Sequence, residues 1–508
     1  MASERDIANR IPITGALMLA TLMNTLDSTI ANVALPHMQG SLSASQDQIF
    51  WVLTSYIIAT AIMTPLSGWL SLKAGRKPMF LFSIVAFTLA SMLCGIATNL
   101  PEIVIFRLIQ GIAGASLMPL SQTVMLDIFP PAQVPRVMSI WSAAVIMGPI
   151  IGPGLGGWLT ENLSWRWVFY INLPIGILAF LGVYLFMERD RGGLQRPFDF
   201  LGFGALAVFV GAFQLMMDRG SERDWFGSRE IWIEAGIAIV GFLIFVIQTM
   251  TAEHPFFHRD LAKDRNFVAC AIFGLFVGAL LFSTTALLPT FMQNLLGYSA
   301  LQSGLASMPR GVGSFCAFIL VPTLLTTIGA RRVLGFGIAI CVTALWMMAH
   351  FNLEMTSGPI MISGVIQGFG VGMLFAPLNT LGYATLAPQH RTEGTIITTM
   401  ARSLGSAAGI SLIQAVLVRK AALAHARLAE HITDTSPMVR AMLPPAADPA
   451  TASNMLALNG LVTRQAAMIG YNTIFAWMAL ATLLLIPLLM AMTPPRRGGA
   501  PMVEVAAD

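Results

Sequence analysis

LMLATLMNTLDSTIANVALP, residues 17–36, decides the fold class, because it joins an apolar length that can span a membrane with a stripe of polar side chains. At about 100° per residue, one helix face of about 100° holds Thr21, Asn24, Thr25, Ser28 and Asn32. Asp27 lies about 60° beyond Asn24 on the same helix. We therefore predict a membrane helix whose polar face, together with Asp27, borders a cavity.

Asp27 is the residue of this helix that is most costly to insert into a membrane, since placing a carboxylate at the centre of a bilayer costs roughly 2.5–3.5 kcal/mol on insertion scales. Such a residue usually belongs to a proton relay or a ligand site. The alternative is a structural aspartate that bonds one neighbouring helix. A structural aspartate needs one partner and not a whole polar face, so the pattern favours a functional carboxylate.

The composition is typical of a polytopic membrane protein. Of 508 residues, 56% are hydrophobic and 11% are charged, whereas soluble domains carry about 25% charged residues. The first apolar stretch is longer than the core of a signal peptide and lacks a small-residue cleavage site. We therefore expect it to remain as the first membrane helix.

The sequence contains no motif that is typical of an enzyme active site. No metal-ligand spacing, nucleotide-binding glycine loop or Ser/His/Asp arrangement stands in a plausible context. The cysteines lie inside apolar segments, which predicts packing and not disulfides, and they are Cys94, Cys270, Cys316 and Cys341. We predict a protein without enzymatic activity, cofactor, bound metal or nucleic-acid partner.

Fourteen apolar segments are long enough to cross a bilayer, since a span needs about 20 residues. They lie near 13–35, 50–71, 78–98, 102–126, 137–159, 166–187, 199–217, 231–250, 267–291, 304–327, 333–352, 359–382, 395–418 and 471–492. If the chain starts inside, seventeen Lys and Arg fall on the inner side and four in the short outer loops. Basic residues favour the cytoplasm, so we expect both termini to be cytoplasmic.

The chain also repeats itself. Residues 109–120, IQGIAGASLMPL, resemble 366–378, IQGFGVGMLFAPL, at an offset of 257 that slips by one. A doubled six-helix unit with Gly/Pro-interrupted spans in matching places is typical of alternating-access transporters. Two spans fall outside both copies, which predicts an all-α fold of six plus two plus six helices. The predicted units are two pseudo-symmetric bundles, 1–190 and 263–508, and a two-helix insertion at 191–262.

One outer connection, 419–470, is much longer than the others and carries four prolines in its middle. We predict an external loop here. Its first part, RKAALAHARLAEHI, has helix-forming residues that could extend the preceding helix outward. A passive loop and a docking segment remain open alternatives.

Six motifs in order along the chain resemble a known family. They are LDSTIANVALP, GWLSLKAGRK, RLIQGIAGA, GPIIGPGLGG, WRWVFYINLPIG and MDRGSERDWF. They resemble the signatures of fourteen-helix drug:proton antiporters of the major facilitator superfamily, of the EmrB-type multidrug efflux permeases. The resemblance implies proton-driven efflux of hydrophobic compounds across the bacterial inner membrane. It also implies a periplasmic adaptor, or membrane fusion protein, and an outer-membrane channel as partners.

Arg107 is the candidate partner of Asp27. At about 1.5 Å per residue, Arg107 lies about 9 Å and Asp27 about 12 Å from the outer ends of their spans, so each could neutralise the other. The alternative is an arginine that snorkels to the outer interface. The family resemblance, which covers the motif RLIQG, implicates Arg107 in proton coupling.

Seven residues are candidates for the wall of the substrate cavity. They are Asn24, Ser28, Asn32, Gln110, Gly114, Met118 and Arg310. For Arg310, as for Arg402, a place on the cavity wall and snorkelling to an interface remain alternatives.

The motif GPIIGPGLGG contains Gly148, Pro149, Gly152, Pro153, Gly156 and Gly157. Glycines at spacing four predict a smooth groove for close helix packing, and the prolines predict a bend. The family resemblance identifies this stretch as the antiporter motif, which seals the cavity against leak. Simple helix packing is the alternative, and both describe the same contact.

The loop motif GWLSLKAGRK joins the second and third spans. We expect Gly68 and Gly75 to permit a tight turn, and Arg76 and Lys77 to keep the loop cytoplasmic. The family usually has an acidic residue where this chain has Leu72. A topology anchor is therefore favoured over a latch between the bundles.

Proton-coupled efflux of amphipathic compounds is the function that these observations favour. A transporter of one specific metabolite, or an importer, is one alternative, and the antiporter motif argues against import. A membrane receptor subunit without transport is another, and the internal repeat and the buried Asp/Arg pair argue against it.

Overall fold

Apolar segments of about 20 residues fold as helices, because lipid offers no partner for backbone N–H and C=O groups. The computed structural model describes residues 9–44, 46–49, 51–130, 133–188, 197–220, 223–387, 390–430 and 452–492. In these ranges, thirteen helices are long and apolar enough to cross a membrane. Arg10–Ser41 is a further helix of 32 residues, and its polar stripe lowers its hydropathy. With it, the count is consistent with the fourteen predicted spans.

We label these helices α1 to α14 in chain order. They are α1 Arg10–Ser41, α2 Trp51–Ala74, α3 Arg76–Ile96, α4 Leu100–Ile128, α5 Val134–Asn162, α6 Trp167–Phe186, α7 Phe200–Arg219, α8 Arg229–Thr251, α9 Arg265–Leu296, α10 Leu301–Thr327, α11 Ala330–Met348, α12 Ser357–Ala384, α13 Arg391–Ala429 and α14 Asn454–Met490. Shorter helices lie at Gln46–Ile49, Trp225–Gly227 and Asp260–Lys263.

The predicted repeat is visible in the packing of the helices. In the first half, α1 packs against α5 and α6, and α4 packs against α2 and α3. In the second half, α9 packs against α13 and α14, and α12 packs against α10 and α11. Each pair therefore recurs eight helices later, which is the arrangement of two pseudo-symmetric six-helix bundles.

Helices α7 and α8 pack against each other beside the two bundles. Helix α7 contacts α2 through a hydrogen bond from Thr54 to Asp218. It contacts α13 through a bond from Ser411 to the carbonyl of Met217. Helix α8 exposes many apolar side chains, among them Ile239 and Ile247, as expected for a lipid-facing helix.

The prediction of a loop at 419–470 is wrong for most of its length. Helix α13 continues to Ala429, and the helix Ala452–Leu483, which holds most of α14, begins two residues before the range given for α14. The two extensions pack together, and His425 and Asn459 form a side-chain hydrogen bond of 3.0 Å. Helix-forming residues in 419–429, and the packing of the two helices on each other, stabilise these extensions. The four prolines of this segment lie outside the described residues.

Candidate functional site

The centre of the candidate site is Asp27, in the middle of α1. Its Oδ2 accepts a hydrogen bond from Arg107 Nη1 at 2.6 Å, and both side chains have 0% exposure. Its Oδ1 accepts from Gln110 Nε2 at 2.9 Å and from Asn172 Nδ2 at 2.8 Å. The carboxylate is thus held by three donors from α4 and α6, which compensate for its burial.

Arg107 has further partners of its own. Its Nε donates to the carbonyl of Val52 at 3.0 Å, and its Nη1 donates to Gln110 Oε1 at 2.9 Å. The guanidinium carbon lies 4.2 Å from the centre of the Tyr56 ring, which is a cation–π contact. Arg107 is therefore fixed inside the first bundle and does not snorkel to an interface.

The structure brings Asp27, Arg107 and Gln110 together, but it encloses them inside the first bundle. The prediction that Asp27 faces a cavity is therefore wrong for this structure, because its side chain has no exposed surface. Asp27 points to α4 and α6. Most of the predicted polar face is enclosed as well, since Thr21, Asn24 and Thr25 are buried, so the polar stripe of α1 serves packing between helices over this length.

Asn172 and Tyr56 are members of the site that the sequence reasoning missed. Asn172 Nδ2 also donates to Ser91 Oγ at 2.9 Å, so this amide links α6 to α3 and to Asp27. Tyr56 accepts a hydrogen bond at 3.2 Å from Asn24 Nδ2. An Asn within an apolar span requires a partner, and this signal stands inside the quoted motif WRWVFYINLPIG.

The other predicted cavity residues divide into several environments. Asn24 is buried and donates to the carbonyl of Gly114 at 3.3 Å, so these two residues are in contact. Ser28 is half-buried and donates to a carbonyl of its own helix at 2.8 Å, and Asn32 is exposed. The sulfur of Met118 lies 3.8 Å from Arg402 Nη2, at the boundary between the bundles.

Arg310 lies in the second bundle, far along the chain from the cluster at Asp27. Its Nη1 donates to Thr285 Oγ1 and its Nη2 to Thr284 Oγ1, each at 3.0 Å. Arg402 is also buried, with its guanidinium carbon 5.9 Å from the ring of Trp141. Both arginines therefore point into the protein and not to an interface, which removes the snorkelling alternative for each.

The glycines of the antiporter motif form the predicted groove on α5. Gly148 lies against Thr25 of α1, and Gly152 lies against Thr29, so that a methyl group at either glycine would collide with its threonine. Thr29 Oγ1 also donates to the carbonyl of Gly148 at 3.2 Å. Gly156 continues this face beside Ile30, and Gly157 is buried.

The prolines of the same motif lie on another side of α5. Pro149 and Pro153 line a pocket together with Arg310 and Thr284 of the second bundle. Helix α5 continues through both prolines. Helix α5 therefore contacts α1 with its glycines and the second bundle with its prolines.

The loop motif is only partly as predicted. Gly75 has a φ of 94° and forms the turn between α2 and α3, where glycine is favoured. Gly68 instead lies within α2, and its missing side chain makes room for Ile396 of α13. Lys77 Nζ donates to the carbonyl of Tyr184 at 2.8 Å, at the C-terminal end of α6.

Asp127 links the two bundles at this end of the molecule. Its Oδ2 pairs with Arg76 Nη1 at 2.6 Å, and its Oδ1 pairs with Arg391 Nη1 of α13 at 3.3 Å. Nearby, the hydroxyls of Thr123 and Thr395 are 2.8 Å apart. The chain lacks the acidic residue of the loop, but Asp127 supplies a carboxylate for an inter-bundle contact at the same end.

One group of residues within the described ranges could hold a metal ion by distance alone. The ligand atoms of His258, Asp260 and His390 lie within 4.8 Å of one another. Lys263 Nζ bonds Asp260 at 2.9 Å, and this bond keeps the pKa of the Asp260 carboxyl below its usual value. Because Asp260 is already paired and 54% exposed, the contacts fit a solvated ion-pair group.

Comparison with known proteins adds to this geometry. Residues 17–410 match the family model of the Major Facilitator Superfamily. The chain is 34% identical to the multidrug export protein EmrB of Escherichia coli (strain K12), over 97% of each chain. It is 33% identical to the fatty acid resistance protein FarB of Neisseria gonorrhoeae, over 96% of this chain and 97% of that protein.

Solved structures share the fold at low sequence identity. The human organic anion transporter MFSD10 matches with a TM-score of 0.64 and 13% identity, covering 95% of this chain and 99% of that one. An inward-facing bacterial homolog of the human lysosomal transporter Spinster matches with a TM-score of 0.57 and 16% identity, covering 97% and 99%. These likenesses concern the fold alone.

Proposed function

This chain belongs to the major facilitator superfamily, and from that premise we propose that it exports amphipathic organic compounds in exchange for protons. The relatives with matching length include a multidrug export protein and a fatty acid resistance protein. Their names support the export of drugs and resistance to fatty acids as the model for this chain, and we place this efflux at the bacterial inner membrane.

The observation that carries the proposal is the enclosed pair of Asp27 and Arg107. A proton on Asp27 removes the counter-charge of Arg107, and breaking a buried ion pair costs about 3–5 kcal/mol. Protonation of Asp27 therefore favours another arrangement of α1 relative to α4 and α6. In this proposal Asp27 carries the proton, and Arg107, Gln110 and Asn172 stabilise its ionised form.

The coupling to substrate runs through α5. Helix α1 packs on the glycines of α5, and the prolines of α5 border the pocket between the bundles. A displacement of α1 on protonation is therefore transmitted to the substrate pocket by one helix. The proton and the substrate need not share a binding position.

Several finer features belong to the same proposal. The three units are a bundle at 1–190, an insertion at 191–262 and a second bundle at 263–508. The bonds of α7 to both bundles support an insertion beside them. Four outer against seventeen inner basic residues support cytoplasmic termini. A periplasmic adaptor and an outer-membrane channel are the proposed partners.

The test uses inverted membrane vesicles with an acidic lumen, to which a panel of amphipathic compounds is added. We expect wild-type protein to release lumenal protons, detected with a pH-sensitive dye. Asp27→Asn keeps the shape of the side chain but removes the titratable group, so proton release should be lost. Asp260→Asn, at an exposed carboxylate, is the matched control and should behave as wild type. Accumulation of substrate by Asp27→Asn under a pH difference would show that another residue couples the proton.

A further inference from the structure

The internal repeat places a changed copy of the Asp27 site in the second bundle. At the offset of 257, Asp27 corresponds to Thr284 and Gln110 to Gln367. Arg107 corresponds at the same offset to Gly364. The second bundle therefore keeps the glutamine but has a hydroxyl in place of the carboxylate and no arginine on α12.

An arginine nevertheless occupies this region, from α10. Arg310 lies next to Gly364, since a methyl group on that glycine would be in ordinary van der Waals contact with the Cβ of Arg310, at 3.8 Å. Its guanidinium donates to Thr284, the counterpart of Asp27, at 3.0 Å. The second bundle thus holds an arginine beside the position where the first bundle holds its carboxylate.

Among the residues that the structure describes, this arginine has no negatively charged partner. None of the ion pairs formed by the described residues includes Arg310, although the side chain is only 5% exposed. The amide of the buried Gln367 likewise has no hydrogen-bond partner among the described residues. A buried guanidinium held only by neutral groups is strongly stabilised by an anion.

A pocket leads to this guanidinium. Arg310, Thr284 and Thr285 form its polar end, while Ile146 and Ile150 of α5 and Leu288 of α9 contribute apolar walls. The pocket is bounded by both bundles, as a substrate pocket in an alternating-access transporter must be. Its lining matches a molecule with one charged end and an apolar body.

We propose that this pocket binds amphipathic organic anions, with the negative head group on Arg310 in the position that Asp27 takes in the first bundle. The proposal rests on the efflux function above and names its substrate class. A cationic head group would meet a like charge at Arg310. A neutral compound would leave the guanidinium without a counter-ion.

Arg402 is a second buried positive charge at the boundary between the bundles. It lies at the boundary of the bundles, close to Met118 and over the rings of Trp141 and Phe375. Within the described ranges it too is absent from the ion pairs. Asp27, which could offset these charges, is already neutralised by Arg107. The boundary between the bundles therefore favours anions at two positions, Arg310 and Arg402.

The first experiment compares two compounds that share a dodecyl chain and carry head groups of opposite charge. Dodecanesulfonate and dodecyltrimethylammonium are added at equal micromolar concentrations to inverted vesicles with an acidic lumen. Both charges are independent of pH, so neither compound carries protons itself. We expect the sulfonate to release protons at a concentration about tenfold lower than the ammonium compound.

Variants at one position then test the role of Arg310. Arg310→Gln should raise the half-saturating concentration of dodecanesulfonate about tenfold. It should lower that of the ammonium compound, because the like charge that opposes a cationic head group is removed. Arg310→Lys retains the charge and should keep the preference for the sulfonate. Arg332→Gln, at an exposed arginine, is the control for loss of one positive charge and should match wild type.

The outcomes separate this inference from the proposed function. Equal responses to the two compounds, or an equal loss of both in Arg310→Gln, would overturn the anion site while leaving efflux intact. If Arg310→Gln fails to fold, loss of the sulfonate preference in folded Arg310→Lys overturns the proposal as well. If no compound of any charge releases protons from wild-type vesicles, the proton-coupled function itself fails.

Discussion

Asp27 and Arg107 show how far single residues can be interpreted before the packing of the helices is known. Two charges at similar depth in two apolar spans each need a partner, and the structure pairs them at 2.6 Å. The identity of the pair follows from cost and depth alone. Their role in proton coupling stays a prediction.

Arg107 offers a prediction at this scale. Arg107→Lys keeps a positive charge but loses the planar group that binds Asp27, Gln110 and Val52 together. We expect proton-coupled efflux to fall roughly tenfold, with wild-type protein levels. Arg107→Gln should be worse, because it leaves Asp27 unpaired at a cost of about 3–5 kcal/mol in stability.

Transport in vesicles and thermal unfolding in detergent measure these two effects. Arg229→Lys, at an exposed arginine, is the matched control and should change neither quantity. Full transport by Arg107→Gln would show that Asp27 needs no guanidinium to function.

The contact of Asn172 with Asp27 could not be predicted from the sequence. The amide of Asn172 reaches Asp27 from α6 and Ser91 from α3. Several apolar spans contain polar residues. The rotation of each helix about its axis determines which of these residues contact one another. The helical period determines on which face of its own helix a residue lies, but not which helix packs against that face. The sequence therefore predicted that Asp27 needs hydrogen-bond donors without identifying Asn172 as one of them.

At the scale of elements, α5 is the helix on which the proposed coupling depends. Gly152 lies so close to Thr29 of α1 that an added methyl group would clash with the Thr29 hydroxyl. We expect Gly152→Ala to destabilise the protein by about 1–3 kcal/mol through overpacking and to reduce efflux. Gly236→Ala is the control, since that glycine has no neighbour within 4 Å of an added Cβ.

Thermal unfolding and vesicle transport, taken together, test the role of this contact. Unchanged transport in Gly152→Ala, despite a lower melting temperature, would mean that the contact of α1 with α5 stabilises the fold without carrying the coupling.

The extensions of α13 and α14 show why boundaries were harder to predict than spans. Hydropathy detects the part of a helix that lies in lipid, and the segment after 418 has too few apolar residues to register. Its helix-forming residues predicted a possible extension, which is confirmed up to Ala429. Packing against the start of α14 then stabilises both segments beyond the bilayer.

These extensions carry exposed apolar side chains, including Leu423 and Leu456, which are 54% and 72% exposed. We propose that they contact the periplasmic adaptor. Leu456→Glu should impair efflux in cells, where the adaptor is needed, and leave transport in vesicles unchanged. A cysteine at position 456 should also react with an impermeant thiol reagent added from outside. Equal loss of activity in cells and vesicles would instead indicate a role in folding.

At the scale of the whole molecule, the repeat predicted the two-bundle architecture but not the different charged residues of the two bundles. The helix pairs of the first bundle recur eight helices later, as the doubled IQG motif indicates. The charges do not recur, because Thr284 and Gly364 replace the ion pair and Arg310 enters from another helix. In the two proposals above, the first bundle therefore holds the site for the proton and the second bundle holds the site for the substrate.

At the same scale, Asp127 bridges Arg76 and Arg391 across the boundary of the two bundles, and we propose that these ion pairs act as a gate that closes this end of the molecule. Both pairs are partly exposed, so together they are worth about 1–2 kcal/mol. Their loss should shift the equilibrium towards a state open to this side by roughly tenfold. Asp127→Asn removes the charge and retains the shape, so it should open the gate without unfolding the bundles.

The opening can be measured with a cysteine at Thr395, which is fully buried against Thr123 in the closed arrangement. The four native cysteines are replaced first, and the rate of alkylation is compared with and without Asp127→Asn. We expect the rate to rise roughly tenfold, following the shift in the population of the open state. Asp260→Asn changes the charge at the same side without touching Asp127 and should leave the rate unaltered. If Asp127→Asn also leaves it unaltered, the contacts of α4 with α13 close the gate by packing alone.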